Sequence, residues 1–418
     1  MPSLSGFSAA AGTQQTTIFR CIPAITDGVF GCILTGMASP HRIGLYVHVP
    51  FCTGACRYCD FYSTTYRPDL CDSFIEALAE EWEVVEDREG LKDVTIGTLY
   101  VGGGTPSCLS ERQWMHLEKR LFSRLKRDPA IEWTVECNPE SFTPSKARLW
   151  TSMGVTRLSL GIQSLNDRLL RLMGRRHGAG TARRVLDDSS LGAFHSVSVD
   201  MIYGLPGQSL EDVGQCAEEL TGHPAVSHLS AYELTLHSHS SFGRHRRLLR
   251  LPDEEDILGM AEVVKQECAG RGFDRYEISN YARPGHRCRH NLDCWRRVPY
   301  AGLGPAAHSF LPPERRANVS SLEEYIVRVS TSGEAADYVE TLNPDDVERE
   351  IVLLGLRTSD GIDEKHFERE TGMRFCSGKR ETALRLLQER NMLIHHGNCW
   401  VLTDRGMALA DAVATELA

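Results

Sequence analysis

Short apolar runs alternate with amphipathic segments from Ile43 onward, and this alternation constrains the fold more than any other feature of the sequence. The helical segments include residues 70–85, with apolar side chains at helical spacing, and residues 110–126, which open on a capping box of Ser110 and Gln113. Repeated strand–helix units of this kind predict an α/β fold with a parallel sheet. The six predicted strands are residues 44–49, 98–101, 131–136, 157–161, 197–202 and 228–232. Six repeats fall short of the eight of a closed barrel, so we predict a partial (β/α)6 TIM-like barrel.

The chain divides into four predicted regions: an N-terminal extension (1–42), the partial barrel (43–275), a connecting segment with the sequence HNLDCW (276–343) and a small winged-helix-like domain (344–418). Proline and glycine indicate that the first part of the connecting segment, residues 276–295, is largely loop. The last region has helices around a predicted hairpin at His396, Gly397 and Asn398. It carries 10 Lys and Arg against 14 Asp and Glu, a net charge of −4, so we expect a packing or partner-docking module rather than a DNA-binding one.

Composition and charge restrict the kinds of binding partner and the cellular compartment that we expect for this protein. The net charge of −10 argues against nucleic acid, and no apolar run approaches the ~20 residues of an integral membrane segment. Fourteen cysteines scattered through a long chain indicate reduced thiols and a cytoplasmic setting rather than a disulfide framework. The upstream segment has few basic residues and differs in composition from the rest, so we expect translation to begin at Met37.

Three cysteines follow the first predicted strand at the spacing C-x3-C-x2-C: Cys52, Cys56 and Cys59. They could be buried packing residues, but the polar and small residues between them make a poor core strand. Zinc usually takes four ligands. An iron–sulfur cluster also usually takes four cysteines, so three would leave one iron open for chemistry.

Polar residues also follow the other predicted strands. Residues 102–105 (GGGT) follow strand two, Glu136 closes strand three, Gln163 follows strand four and Asp200 lies in strand five. All of them fall toward the carboxyl ends, where chemistry gathers in barrels of this kind. Each has a plain structural alternative: a tight glycine turn, or a solvated strand end.

Taken with the cysteine loop, these motifs resemble the radical S-adenosylmethionine superfamily, and most closely its HemN/HemW group, through YVHVPFC, VGGGTPS, ECNPE, GIQS and YGLPGQ. The resemblance implies a 4Fe-4S cluster on the three cysteines, S-adenosylmethionine on the open iron, and an electron donor such as flavodoxin or ferredoxin. The implied cofactor contacts, beyond the cysteines, are Tyr46, Tyr58, Gly103, Gly104, Thr105, Glu136, Gln163, Arg175 and Asp200.

Two features separate the members of this group. Coproporphyrinogen dehydrogenases carry a further cysteine where this chain has Phe61, and HNLDCW, beginning at His290, resembles an HNxxYW motif linked to haem binding. The resemblance therefore implies a haem chaperone of the HemW type, with His290 as a haem contact and an acceptor protein for the haem. Cys294 replaces the expected tyrosine, and His290 could equally be an ordinary hydrogen-bonded loop histidine.

Two enzymatic alternatives stand beside the chaperone. One is an oxygen-independent coproporphyrinogen III dehydrogenase, and the other is a haem-modifying radical methyltransferase. The His- and Arg-rich stretch HSHSSFGRHRRLLR, residues 237–250, is predicted to be a solvated loop without a metal site.

Overall fold

The computed structural model describes residues 41–418. The N-terminal extension up to residue 40, including the predicted start at Met37, lies outside the described residues.

All six predicted strands are confirmed. In chain order the first eight strands are β1 (Arg42–Val49), β2 (Phe51–Cys52), β3 (Thr64–Thr65), β4 (Thr95–Gly103), β5 (Arg127–Cys137), β6 (Arg157–Gln163), β7 (Ser196–Tyr203) and β8 (His228–Glu233). Strands β1, β4, β5, β6, β7 and β8 lie side by side in that order and are parallel throughout. The α/β class and the partial radical-SAM-like barrel are therefore as predicted.

Helices on the outside of this sheet complete the barrel repeats. They are α1 (Pro68–Arg88), α2 (Glu111–Arg120), α3 (Pro144–Met153), α4 (Asp167–Met173), α5 (Ala179–Leu186), α6 (Leu210–Gly222), α7 (Ser241–Arg244) and α8 (Glu254–Ala269). The capping box of Ser110 and Gln113 is confirmed, although α2 ends at Arg120, where a 3-10 turn replaces the rest of the predicted helix. Apolar side chains of α1 and the strands, such as Phe74, Leu78 and Val101, form one buried core.

Residues 276–343 extend the same sheet at both edges. Directly before them lies β9 (Asp274–Arg275), and they contain α9 (Arg289–Trp295) and α10 (Leu322–Ser332), with strands β10 (Asn280–Ala282), β11 (Tyr300–Leu303), β12 (His308–Leu311), β13 (Glu314–Asn318) and β14 (Ala336–Thr341). Strand β10 pairs antiparallel with β8, whereas β11 pairs parallel with β1 and is followed by three antiparallel strands. Residues 276–295, predicted to be largely loop, thus contain β10 and α9, which gain partners from distant parts of the chain: β10 pairs with β8, and Glu132 accepts from the first amides of α9.

The C-terminal region folds around its own apolar core. Helices α11 (Pro344–Gly355), α12 (Glu364–Thr371), α13 (Gly378–Glu389), α14 (Asp404–Met407) and α15 (Ala410–Leu417) surround β15 (Ile362–Asp363), β16 (Leu393–His396) and β17 (Cys399–Leu402). The hairpin forms where predicted, with Gly397 at φ 64° in its two-residue turn. No helix in residues 41–418 is long and apolar enough to cross a membrane.

Candidate metal centre and cofactor site

The cysteine loop begins at the carboxyl end of β1. Strands β2 and β3 pair in parallel across it and fix its two ends. Cys52, Cys56 and Cys59 are all partly buried, while Thr53 and Ala55 between them are exposed. The thiols therefore lie on a loop at the surface of the barrel mouth.

A chain of hydrogen bonds joins two of the cysteines through residues of three other loops. Cys52 Sγ lies 3.4 Å from Thr105 Oγ1, and Asn138 Nδ2 donates to the same Thr105 oxygen at 3.0 Å. Arg175 donates from Nη2 to Asn138 Oδ1 at 2.6 Å and from Nη1 to Cys56 Sγ at 3.5 Å. We call these five residues the thiol network. It presents hydrogen-bond donors and a positive charge to sulfur atoms, which stabilises thiolates.

Burial raises the pKa of the Cys59 thiol to about 12, and the neighbouring Cys56 and Cys52 add to this effect. Burial also raises the pKa of Cys52. Among the described residues, no three His, Cys, Asp or Glu side chains are close enough to hold a single metal ion. An iron–sulfur cluster places each thiolate on a different iron, so its ligands stand further apart than those around one ion. Three thiols in one loop beside a buried arginine fit that group.

Glu136 ends β5 facing the barrel interior. Its carboxylate accepts hydrogen bonds from Tyr100 Oη at 2.8 Å and from the Gly103 amide at 3.1 Å. Burial raises the pKa of Glu136 to about 7, and nearby Asp200 adds to the shift. Burial likewise raises the pKa of Asp200 to about 6, although Ser230 and Ser159 stabilise its charged form. Both groups line one polar cavity and would take a cationic or hydroxylated ligand as hydrogen-bond partner.

The glycine run packs against atoms of the protein itself. A side chain on Gly104 would place its Cβ 2.8 Å from the Phe51 carbonyl oxygen and 2.9 Å from that of Val49. Gly103 has φ 106°, and a Cβ there would lie 2.7 Å from the His48 ring. Both glycines are therefore required by the close approach of β4 to the start of the cysteine loop.

Gln163 occupies a strained position at the end of β6. Its φ is 67°, a left-handed conformation that is uncommon for a residue with a side chain. A Cβ on Gly161 would lie 3.2 Å from Gln163 Nε2 and 3.4 Å from Arg175 Nη2, so the amide and the guanidinium share one small region. Backbone strain of this kind clusters at functional sites.

Two predicted tyrosines flank the thiol network. Tyr58 is buried, which raises its pKa well above the ordinary value, while the charge of Arg175 acts in the opposite direction. The Tyr46 hydroxyl lies 3.0 Å from His48 Nδ1, and His48 Nε2 lies 3.0 Å from the Tyr62 carbonyl oxygen beyond the cysteines. Burial lowers the pKa of His48 to about 4, so its imidazole is neutral at physiological pH. The neutral ring connects β1 to the end of the cysteine loop.

His290 lies at the opposite end of the barrel. Helix α9 closes the amino-terminal ends of the strands, and Glu132 Oε1 and Oε2 accept from the backbone amides of His290 and Arg289, each at 3.0 Å. The His290 ring lies 3.0 Å from Thr98 Oγ1 and 5.1 Å, between centroids, from Tyr100. Burial lowers its pKa to about 4.

The rest of the HNLDCW motif joins the barrel to the C-terminal region. Trp295 packs in the core of that region with Val352, whereas Cys294 lies in a separate apolar cluster with Tyr300 and Phe310. Burial raises the pKa of the Cys294 thiol to about 12. The cysteine that replaces the expected tyrosine is thus an enclosed neutral thiol, a poor nucleophile.

The predicted solvated loop at residues 237–250 is wrong in part, because Ser240 and Phe242 are buried and residues 241–244 form α7. His237 is partly buried, and its Nε2 lies 3.3 Å from Asp60 Oδ2 beside Cys59. The Phe242 amide donates to the Arg57 carbonyl oxygen at 2.8 Å, so the segment packs along the cysteine loop. His239 and His245 are exposed, as expected.

Most of the predicted site residues therefore come together toward one end of the barrel, while His290 lies toward the other end, where its ring stacks on that of Tyr46 at 6.5 Å between centroids. The sequence analysis missed Asn138, which lies within the quoted ECNPE motif and connects Thr105 to Arg175. It also missed Tyr100 and His48, whose neighbours in β1 and β4 had already been singled out. Their position in strands that end at the site was the available signal.

Comparison with known proteins finds two family matches in this chain. Residues 46–220 match the radical SAM superfamily, and residues 342–409 match the HemN C-terminal domain. A Mycobacterium tuberculosis protein named heme chaperone HemW is 34% identical over 381 residues, covering 90% of this chain and 94% of the relative. Another from Lactococcus lactis is 32% identical, covering 88% and 95%. The solved structure of Escherichia coli coproporphyrinogen III oxidase HemN has the same fold, with a TM-score of 0.79 at 21% identity over 91% of each chain.

Proposed function

We propose that this chain, which belongs to the HemW family within the radical S-adenosylmethionine superfamily, is a haem chaperone that passes haem to an acceptor protein. In this proposal it binds a 4Fe-4S cluster, S-adenosylmethionine and haem, and it works in the cytoplasm. The observation that carries the cluster is the cysteine loop with its thiol network: three partly buried cysteines share one loop, and Thr105 and Arg175 from other loops contact Cys52 and Cys56. The haem function rests on the curated relatives and on Phe61 in place of a fourth cysteine.

Cys52, Cys56 and Cys59 would hold three irons of the cluster, which would supply one electron at a time to S-adenosylmethionine on the open iron. Arg175 and Thr105 would stabilise the thiolates by hydrogen bonding. Tyr58 would cover the cluster side of Arg175, and Gly103 and Gly104 would let β4 approach the loop closely.

S-adenosylmethionine would extend from the open iron into the barrel. Glu136 and Asp200 are the partly buried carboxylates in the barrel cavity that could accept hydrogen bonds from its ammonium and ribose groups. Gln163 and Tyr46 lie close to Arg175 and Glu136 respectively, which supports their roles as further contacts. An electron donor such as flavodoxin or ferredoxin would reduce the cluster.

His290 remains the proposed haem ligand, but in this conformation its ring is not accessible to haem. The ring is enclosed by Thr98 and by the tyrosines at positions 46, 100 and 300. Haem coordination by this imidazole therefore requires α9 to move away from the barrel floor. Binding through His290 would be slow and coupled to loosening of that helix.

Haem titration of anaerobically reconstituted protein tests the proposal. We expect a saturable spectrum with one haem per chain, and no formation of protoporphyrinogen from coproporphyrinogen III in the same preparation. Absence of haem binding, or turnover of coproporphyrinogen III, would overturn the chaperone assignment. Loss of the haem spectrum that depends on S-adenosylmethionine would instead favour a haem-modifying enzyme.

A pair of histidine variants tests the ligand separately. His290→Ala should weaken haem binding at least about tenfold, since it removes an iron ligand. His239→Ala, at an exposed histidine beside the cysteine loop, should leave binding unchanged. If His239→Ala weakens binding and His290→Ala does not, the haem function stands but the haem site lies at the surface.

A further inference from the structure

Six exposed arginines lie in the cysteine loop or in segments that contact it: Arg57, Arg176, Arg244, Arg246, Arg247 and Arg250. We call them the basic rim. Four of them fall within residues 237–250, a stretch that contains no Asp or Glu, in a protein whose net charge is −10. Positive charge is therefore concentrated at this part of a molecule that is otherwise acidic.

Contacts with the cysteine loop hold the segments of the rim together. The Arg57 amide donates to the Met173 carbonyl oxygen at 2.9 Å, which sets the cysteine loop against the end of α4. Phe242 donates to the Arg57 carbonyl oxygen from the other side. A Cβ on Gly54, within the cysteine loop, would lie 2.9 Å from Arg176 Cδ.

None of the six guanidinium groups forms an ion pair within 4.0 Å with a carboxylate of residues 41–418. Most other exposed arginines near the barrel behave differently; Arg67, Arg112 and Arg183, for example, each pair with Asp or Glu. The fold thus leaves the rim charges without carboxylate partners, and an approaching anionic surface would meet them without breaking an internal ion pair.

The rim also lies where an electron would have to enter. Thr53 and Ala55 of the cysteine loop are exposed, and the side chain of Phe61 is 49% exposed. A protein that docks on the rim would therefore place its own redox group against the loop that carries the three thiols. Short-lived electron-transfer complexes bury small areas and rely on charge steering, which a rim of this kind supplies.

We propose that the basic rim is the docking surface for an acidic one-electron donor protein. The inference rests on the proposed function, because it assumes a cluster at Cys52, Cys56 and Cys59. One electron leaves the reduced flavin or iron–sulfur group of the donor and one enters the cluster, and docking itself transfers no proton or chemical group. The long, planar guanidinium groups suit carboxylates on the donor surface.

A charge-reversal experiment tests the proposal with an acidic flavodoxin as the probe. The test variant carries Arg246→Glu, Arg247→Glu and Arg250→Glu. The matched control carries Arg374→Glu, Arg390→Glu and Arg405→Glu, three exposed arginines of the C-terminal region that form no ion pair with described carboxylates. Both variants change the net charge by the same amount, so they separate local from overall charge.

Binding of flavodoxin to the protein without its cluster is the first measurement, followed over a range of salt concentrations. We expect the rim variant to bind at least about tenfold more weakly at low salt and to lose most of the salt dependence, while the control binds like the wild type. Equal binding by wild type and rim variant, or equal loss in rim variant and control, would overturn the proposal.

Reduction of the reconstituted cluster is the second measurement. Flavodoxin should reduce the rim variant at least about tenfold more slowly than the wild type, whereas dithionite should reduce all three proteins at the same rate. Unchanged reduction by flavodoxin would contradict the proposal. A protein that takes up no cluster would contradict the proposed function instead, and the binding measurement would still decide the docking surface.

Discussion

Asn138 is the residue on which the geometry of the cysteine loop depends most. Its side-chain amide donates from Nδ2 to Thr105 and accepts at Oδ1 from Arg175. Thr105 in turn contacts Cys52, and Arg175 contacts Cys56. No charge or metal-binding chemistry distinguishes an asparagine in the sequence. Its role follows only from the convergence of four loops at the carboxyl ends of β1, β4, β5 and β6.

Replacing Asn138 by alanine should therefore loosen the thiol network. We expect Asn138→Ala to lower the stability of the protein without its cluster by about 1–3 kcal/mol, and to reduce the iron retained after reconstitution. Asn343→Ala, which removes the helix cap of α11, should cost about 1 kcal/mol and leave iron uptake unchanged. Denaturation curves and iron analysis check both, and equal iron in the two variants would count against the network.

Glu136 gives the site a predictable pH dependence. Its pKa of about 7 in the folded protein lies above the ordinary value of 4.5, so the protonated form is favoured by folding. The contribution of Glu136 to the free energy of unfolding is therefore fully present below pH 4.5 and is lost as the pH rises through 7. Glu136→Gln has no such titration, so the wild type should lose up to about 3 kcal/mol relative to the variant between pH 4.5 and 8.

Urea denaturation of the cluster-free protein over this pH range measures the difference directly. The comparison between wild type and variant removes the contribution of Glu81 and Glu277, which are also buried with pKa values of about 7. A difference that stays constant with pH would show that Glu136 is charged in the folded protein throughout the range.

Among the elements, α9 has the largest effect on how the molecule is assembled. Its first turn is held by Glu132, its histidine packs inside the barrel and its tryptophan packs in the C-terminal core. The seven-residue helix is too short to be stable alone, so these contacts hold it in place. The HNLDCW motif therefore acts as a structural joint in this conformation, in addition to its proposed role with haem.

Loss of the Glu132 carboxylate should release this helix. Glu132→Ala leaves the amides of Arg289 and His290 without acceptors, and we expect a destabilisation of about 2–4 kcal/mol with faster hydrogen exchange across residues 289–295. If His290 binds haem, the same variant should bind haem faster than the wild type. Glu118→Ala, at a partly buried carboxylate of α2, should leave exchange in α9 unchanged. Protection of α9 in the Glu132 variant would contradict this account.

At the scale of the whole molecule, the sequence predicts the elements that repeat along the chain and that neighbouring residues specify. The six parallel strands and the C-terminal hairpin follow from apolar periodicity and turn residues, as β7 and Gly397 illustrate. The strands β11 to β14 were not predicted, because β11 gains its parallel partner β1 from a segment more than 200 residues away, and the antiparallel strands β12 to β14 build on β11. The enclosure of His290 is hidden from the sequence for the same reason: it depends on Thr98 and Tyr100.

The central claim is that Cys52, Cys56 and Cys59 hold a 4Fe-4S cluster with one open iron that binds S-adenosylmethionine. Electron paramagnetic resonance of the anaerobically reconstituted, dithionite-reduced protein, recorded with and without S-adenosylmethionine, tests it most directly. We expect about four irons per chain and a cluster signal that changes shape when S-adenosylmethionine is added, with both absent from the Cys52→Ala, Cys56→Ala, Cys59→Ala variant. A signal that S-adenosylmethionine leaves unchanged, or iron and sulfide retained by the triple variant, would contradict the claim.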